Sequence, residues 1–532
     1  MPETSALRSA SARWALLAVV AAIVFVGFVR LRLADVPLER DEGEYAYAGR
    51  LILEGIPPYQ LAYNMKFPGT YYAYAAIMAA FGRTAWGIHA GHLLINAVTI
   101  LLVFAVGRRL LGEFAGAASA VVFALLTLDR WAYGMFAHAT HFVVLAAMAG
   151  LLLLLRGFDG RRAIAYAWSG LSFGVALIMK QHAVAFLPFC VAAIYWVESR
   201  REPRIARAAP KPVAAFALGS LVPLLAVVAV LTAQGVVGRF WFWTIRYARE
   251  YVTQVSLSEA VPAFLFGFGV VTRASLVFWV LAGVGLAALW IARWEPVPRV
   301  VITGLFAASF LAICPGFYFR EHYFVLMMPA VALLVGAAVG SARQRALAAV
   351  VLIGAIGLYA VRERHYLFSM TPRALSRTMY GTNPFVEAVD IAKYIAERSG
   401  PDDRIAVLGS EPEIYFYANR KAATGYIYTY ALMEPQPFAS KMQAEMIAEI
   451  ETGRPRYLVY VRIEHSWVPT PVSDMTIVRW ASDYVERCYD LVGVVDVYSE
   501  DASGVAWDDA AKTYKAQSEN VIYTFRRKDT CE

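Results

Sequence analysis

Charge is scarce in this chain. Asp, Glu, Lys and Arg make up only 17% of its 532 residues, against about a quarter in soluble domains. With 59% apolar residues and a mean hydropathy of +0.50, a disordered chain is excluded and a wholly soluble enzyme is a poor reading. Cysteine is scarcer still. Cys190, Cys314, Cys488 and Cys531 are the only four, and none has the spacing of a metal site. Cys190 and Cys314 fall in or beside apolar runs, where cysteine behaves as a small hydrophobe. Cys488 and Cys531 share the last third and could pair if that third lies outside the cytoplasm, but the sequence gives no measure of their separation. There is no solenoid repeat and no low-complexity tract. Leu408-Gly409-Ser410-Glu411 follows an apolar run yet lacks the G-x-G-x-x-G phosphate loop, so no nucleotide site is assigned.

Acidic residues are scarce in one region above all. Residues 1–361 hold 29 Lys+Arg and 16 Asp+Glu, a net charge of +13, whereas residues 362–532 hold 20 and 25, a net of −5. The basic pI of 9.1 therefore belongs to the apolar part. Positive loops on the cytoplasmic side of a membrane explain it without a nucleic-acid partner.

Apolar runs long enough to cross a bilayer are Trp14–Val29 and segments near 86–106, 114–128, 137–155, 163–179, 183–197, 213–233, 275–292, 300–314, 323–340 and 346–361. That is about eleven spans. The first follows Arg8 and Arg13 and lacks a small-x-small cleavage site, so it reads as a retained anchor rather than a signal peptide. With the N-terminus inside, Arg108-Arg109, Arg156 to Arg162, Arg200 through Arg201, Arg204 and Arg207 to Lys211, Arg293 with Arg299, and Arg343 with Arg345 all fall on the cytoplasmic face. An odd number of spans then puts the C-terminal third outside. It shares that side with a long first loop (about 30–85), a short one (Asp129–His141), a long aromatic one (about 234–274), and Cys314–His322.

Six of the 16 early acids lie between Asp35 and Glu54. Gly55, Pro57 and Pro58 divide this loop into two short helices. The first, Asp41 to Leu53, has Tyr45, Ala48, Leu51 and Ile52 on one face, with Asp41 and Glu42 in its first turn, where the helix dipole favours carboxylates. The second, Phe67 to Phe81, is aromatic and suits a membrane surface. Asp41 and Glu42 alone would read as caps on a solvated face. Lys66 in the same loop, with Arg246, Arg249, Arg320 and His322 in other loops on that side, changes the reading. A carboxylate base facing cations that hold a leaving phosphate suits group transfer.

These residues resemble the GT-C glycosyltransferases that use lipid-linked sugars: the protein O-mannosyltransferases, the aminoarabinose transferase of lipid A, and the bacterial PMT-2 (RgtA/B/C/D-like) group. The resemblance rests on Asp41-Glu42-Gly43-Glu44-Tyr45, a Gly-Pro turn, and Lys66 in a Lys-Pro-Pro-like element. It extends to Gly174–Gln181, similar to a G-x-A-x-x-x-K span end, and to Arg320-Glu321-His322-Tyr323 with Pro329, similar to an R-x-H-Y…P element. Two features depart from that pattern. Lys66 is followed by Phe67-Pro68-Gly69. Where many relatives have an acid at the outer end of the fourth span, this chain has His138-Ala139-Thr140-His141. No metal is assigned: His138 and His141 read as plain helix polarity, with a divalent ion on that pair as the alternative, and no other cofactor is expected.

The resemblance implies a polytopic α-helical membrane protein of GT-C type with a soluble α/β domain outside, transferring a sugar from a polyprenyl-phosphate donor to an envelope acceptor (lipid, glycan or protein) with inversion. It implies a place in the bacterial inner membrane, with the bilayer, donor and acceptor as partners. Asp41 matches the catalytic base, and Glu42 is its close neighbour and could support it in catalysis. Lys66 matches the phosphate-contacting lysine, and Arg320, His322 and Tyr323 match residues near the donor head group; Tyr45 belongs to the same signature. Lys180 either snorkels or lines the phosphate site. Arg246, in the stretch with Arg239, Trp241, Trp243, Tyr247, Arg249 and Tyr251, belongs either to an interfacial belt or to a donor-binding surface.

Residues 1–361 form the membrane part and 372–532 the outer domain, with helices expected at 384–399, 436–452 and 473–487 and strands at 404–408, 457–461, 492–497 and 521–525. Tyr415, Tyr417, Tyr426, Tyr428 and Tyr430 suit either an acceptor platform or a sheet core. Two other functions compete. A transporter or lipid flippase would concentrate polar groups at mid-membrane, whereas here the spans are nearly free of charge. An interaction scaffold would leave the acidic first loop without a purpose.

Overall fold

The computed structural model describes residues 2–160, 162–201, 210–292, 294–499 and 502–531. Arg161, Arg204, Arg207 and Arg293 of the basic loops lie outside the described residues, as do the side chains of Arg8 and Arg201. Among the described residues, nine helices are long and apolar enough to cross a membrane, from Ala12–Arg32 to Arg345–Arg362. Glu113–Leu126 and Ala163–Met179 are apolar but shorter. Together they account for the eleven apolar segments.

One span differs from expectation. In place of a loop to residue 274 and a span from 275, a single 35-residue helix runs from Leu257 to Ile291. At about 1.5 Å per residue it is far longer than the hydrocarbon core is thick. Its start is fixed by a capping box, with Ser256 and Glu259 exchanging hydrogen bonds. Arg273, which makes the sequence look loop-like there, rests its guanidinium 4.5 Å from the Trp131 ring. The rest of the aromatic loop is helical from Val237 to Val252.

The first loop folds as two helices, Arg40–Leu53 and Gly69–Phe81. The C-terminal domain is a six-stranded mixed sheet built from β1 (Arg404–Leu408), β2 (Lys421–Ala422), β3 (Tyr457–Arg462), β4 (Tyr489–Val497), β5 (Ser503–Trp507) and β6 (Val521–Arg527). The strand order is β2-β1-β3-β6-β4-β5. β1 pairs parallel with β2 and β3, and the other pairs are antiparallel. Phe385–Glu397, Ala439–Gly453 and Thr476–Cys488 are helices. Their apolar faces and those of the strands make the buried core that the alternating pattern calls for. Cys488 and Cys531 are joined in a disulfide.

The first surface helix docks on this domain. Arg50 donates to the carbonyls of Tyr415 (3.0 Å) and Arg420 (2.8 Å), and the Ala422 amide donates to Tyr47 Oη (2.8 Å). Gly43 allows the approach: a Cβ there would sit 2.6 Å from the Glu413 nitrogen. The first loop, Asp129–His138, Lys180–Ala185, Val237–Val252, Cys314–His322 and the sheet domain therefore meet at one end of the helical bundle.

Candidate active site

The first turn of the Arg40–Leu53 helix sorts its carboxylates. Glu39 is the N-cap and accepts from the Asp41 and Glu42 amides at 3.0 and 2.8 Å. Successive side chains on a helix diverge by about 100°, and Asp41 and Glu42 part accordingly. Glu42 is fully buried and accepts from the Ala137 amide (2.6 Å) and pairs with His89 Nε2 (3.1 Å). Glu42 thus braces the first turn of the helix against Ala137 and His89, whereas Asp41 bonds other partners.

Asp41 faces the pocket. Its Oδ1 accepts from Lys66 Nζ at 2.7 Å and from Tyr428 Oη at 2.9 Å, while Oδ2 lies 3.7 Å from His138 Nδ1. Burial alone would raise the Asp41 pKa. The Lys66 ammonium, His138 and His322 together outweigh it and hold it well below the usual carboxylate range. Lys66 also donates to Glu44 Oε2 at 2.6 Å and stands 4.6 Å from the centre of the Tyr45 ring. Glu44 is buried, and accepts from Tyr71 and, at 2.9 Å, from Asn64 as well.

The opposite wall is cationic and aromatic. Lys180 Nζ lies 4.4 Å from the centre of the Tyr323 ring, with no carboxylate partner among the described residues. Burial, aided by Lys66 and opposed by Asp41 and Glu44, lowers its pKa to about 8. His322 stacks on His138 with ring centres 4.4 Å apart and packs edge-on against Tyr323. Arg320 is exposed and rests over Tyr318 at 5.5 Å, beside Tyr251, Tyr323 and Tyr430. The loop carrying it is strained: Phe317 and Phe319 have φ of 54° and 44°.

Asp41, Tyr45, Lys66, Lys180, Arg320, His322 and Tyr323 are thus brought to one pocket. Arg246 is not. Its guanidinium packs on Phe242 and on Phe438 of the sheet domain. Sequence reading missed His138 as a pocket residue and Tyr428 as a partner of Asp41.

His138 and His141 do not act as a pair. His141 turns inward against His92, with ring centres 4.4 Å apart, and His92 meets buried Arg30 at 3.2 Å. His138 instead joins Asp41 and His322, and their ligand atoms lie within 4.8 Å of one another. Both His138 nitrogens lack a hydrogen-bond partner. Two imidazoles and a carboxylate suit a zinc-like divalent ion, so Asp41, His138 and His322 could hold one. It would supply Lewis-acid positive charge at that site.

Residues 66–226 match the family model described as dolichyl-phosphate-mannose-protein mannosyltransferase. Among solved structures, the chain is similar to ArnT from Cupriavidus metallidurans bound to undecaprenyl phosphate, with a TM-score of 0.60 at 18% identity over 84% of this chain and 93% of that one. It is also similar to the oligosaccharyltransferase AglB from Archaeoglobus fulgidus in complex with an inhibitory peptide and a dolichol-phosphate, with a TM-score of 0.52 at 13% identity over 95% and 75% of the two chains. The Archaeoglobus fulgidus enzyme in complex with zinc and sulfate gives 0.53 at 15% identity over 92% and 73%. The chain has the GT-C fold. No protein of curated function matches it by sequence. Within the GT-C fold the pocket lies where the first loop, the Cys314–His322 loop and the sheet domain converge.

Proposed function

We propose that this chain is an integral-membrane glycosyltransferase that moves a hexose or pentose from a polyprenyl-phosphate donor to a hydroxyl of an envelope acceptor, with inversion at the anomeric carbon. The observation that carries this reading is Asp41. Its Oδ1 is held by two donors, its Oδ2 has no donor within hydrogen-bond distance, and it faces a pocket lined by Lys66, Lys180 and Arg320. The acceptor hydroxyl gives its proton to Oδ2 as its oxygen bonds to the anomeric carbon. The bond from that carbon to the phosphate oxygen breaks, and the phosphate leaves with the electron pair. A phosphate needs no proton to leave when cations meet its charge, which suits Lys180, Arg320 and the third N–H of Lys66. The family match over 66–226 and the lipid phosphates bound in the similar structures support this class of donor.

We infer that the pocket end faces the extracytoplasmic side of a bacterial inner membrane. Arg108, Arg109, Arg156, Arg299, Arg343 and Arg345 gather at the other end, and the Cys488–Cys531 disulfide suits an oxidising compartment. A transporter is disfavoured by the same placement of charge, since the polar residues crowd one end of the bundle and not its middle.

The test is transfer from a radiolabelled polyprenyl-phosphate sugar in nanodiscs containing the full chain. Asp41→Asn keeps the shape and removes the base. Turnover should fall about 10²- to 10⁴-fold with donor binding near normal. Retention of more than about a tenth of wild-type turnover would overturn Asp41 as the base.

A further inference from the structure

We propose that Tyr428 is a positioning residue for the base, so that the C-terminal domain completes the catalytic pocket instead of merely covering it. The proposal rests on the reading of Asp41 given above. Tyr428 is 387 residues from Asp41 in sequence and donates to its Oδ1 at 2.9 Å. Lys66 donates to the same oxygen. With two donors on Oδ1, the carboxylate cannot rotate without losing both, and Oδ2 is left to receive a proton. Lys66 also serves Glu44, so it does not fix Asp41 alone. Tyr428 supplies the second point that defines an orientation, and its ring stands 5.4 Å from Lys66 Nζ, closing that side of the pair.

The segment that carries Tyr428 is anchored on both sides. Before it, the Gly425 carbonyl accepts from the Tyr63 amide at 2.7 Å, and a Cβ at Gly425 would lie 2.2 Å from the Tyr63 ring, so the segment can seat on the first loop there only as glycine. After it, Thr429 is held by Ser410 and Ser466: its amide donates to Ser410 Oγ at 3.0 Å and its hydroxyl to the Ser466 carbonyl at 2.9 Å. Beside Asp41 in sequence, Arg40 reaches into the sheet domain, donating to the Ser410 carbonyl (2.6 Å) and to Glu411 (3.0 Å). Base and positioning hydroxyl are therefore fixed to one frame, with Ser410 common to both attachments.

Tyr428→Phe removes one hydroxyl and nothing else. The measurement is kcat and donor KM in nanodiscs, with unfolding temperature, for Tyr428→Phe, Asp41→Asn and the double variant. Tyr426→Phe, which loses a hydroxyl bonded to Glu445 in the same segment, is the control. We expect kcat to fall about 10- to 100-fold for Tyr428→Phe, as for loss of one charge-assisted hydrogen bond. Donor KM and unfolding temperature should stay near wild type, and Tyr426→Phe should keep its kcat. In the Asp41→Asn background, Tyr428→Phe should cost less than about threefold, because its effect acts through Asp41. If Tyr428→Phe keeps kcat within about twofold, or costs as much with Asp41 removed as with it present, the proposal fails while the base reading stands. If Asp41→Asn itself transfers normally, both fall.

Discussion

Lys66 Nζ lies 2.7 Å from Asp41 Oδ1 and bridges it to Glu44 Oε2 at 2.6 Å. One ammonium is thus shared by two carboxylates, one of them fully buried. Lys66 is raised above its ordinary value because, although burial opposes the charge, Asp41 and Glu44 outweigh it. It is therefore a counterion of the acid cluster before it is a phosphate contact. Removing one partner of a buried pair costs about 3–5 kcal/mol. Lys66→Met should lower the unfolding temperature and cut turnover at least about 100-fold, whereas Lys66→Arg should keep most of the stability. A Lys66→Met protein as stable as wild type would show that the bridge contributes nothing.

Glu42 should behave differently from its neighbour. Its Oε1 serves both the Ala137 amide and His89 inside the bundle. Glu42→Ala leaves both partners buried and unsatisfied, at about 1–3 kcal/mol each. Glu42→Gln keeps an acceptor for the amide. We expect a clear loss of thermal stability for Glu42→Ala, a smaller one for Glu42→Gln, and turnover of folded Glu42→Gln within about fivefold of wild type. Abolished transfer by a stable Glu42→Gln protein would move the base by one residue.

Lys180 gives the pH dependence. With a pKa of about 8, its ammonium form dominates below that value and its amine above it. A phosphate donor binds the ammonium, so kcat/KM for donor should fall as pH rises through about 8, the titration belonging to the free enzyme. Lys180→Arg stays charged throughout and should flatten this limb. A wild-type profile level to about pH 9.5, with Lys180→Arg superimposed on it, would remove Lys180 from the phosphate site.

Sidedness is open to labelling. In a Cys314→Ser background, Lys515→Cys on the sheet domain should react with an impermeant maleimide in intact cells, and Arg345→Cys only after lysis. The reverse pattern would invert the topology.

Much of this site is legible in the sequence because charge is so rare there. Six acids between Asp35 and Glu54 stand out against an apolar background, and Lys66, Arg320 and His322 occur in loops between spans. The sheet domain is legible because its apolar strands alternate with amphipathic helices. Three features are not. Arg273 breaks an apolar run and hides the first half of the Leu257–Ile291 helix, since nothing local shows that Trp131 will cover it. His138 and His141 look like one helical face, but the helix begins only at Ala139. His138 therefore belongs to the preceding turn and points elsewhere. Tyr428 meets Asp41 through tertiary docking alone, and no spacing rule connects residues 387 apart.

The last prediction concerns metal. Asp41, His138 and His322 form a donor set that could take a divalent ion, and His138, between Glu39 at 3.8 Å and Asp41 at 3.7 Å, is a place where positive charge is favoured. A proton satisfies that demand as well as an ion does. Burial opposes charging of His138, but the carboxylates of Glu39 and Asp41 outweigh it and raise its pKa. The two occupants have opposite consequences for Asp41. A metal would bind through Oδ2, the oxygen that Lys66 and Tyr428 leave open, and would take the lone pair that the acceptor proton needs. Base and ligand roles therefore compete for one atom. With Asp41 as the base, transfer should survive exhaustive treatment with EDTA and dipicolinate within about twofold of the untreated enzyme, and added zinc should inhibit by occupying Oδ2. The opposite result is equally clear. Loss of transfer on chelation, restored by one equivalent of a single divalent ion and absent in His138→Gln, would make Asp41 a ligand and require the acceptor's proton to go to another group.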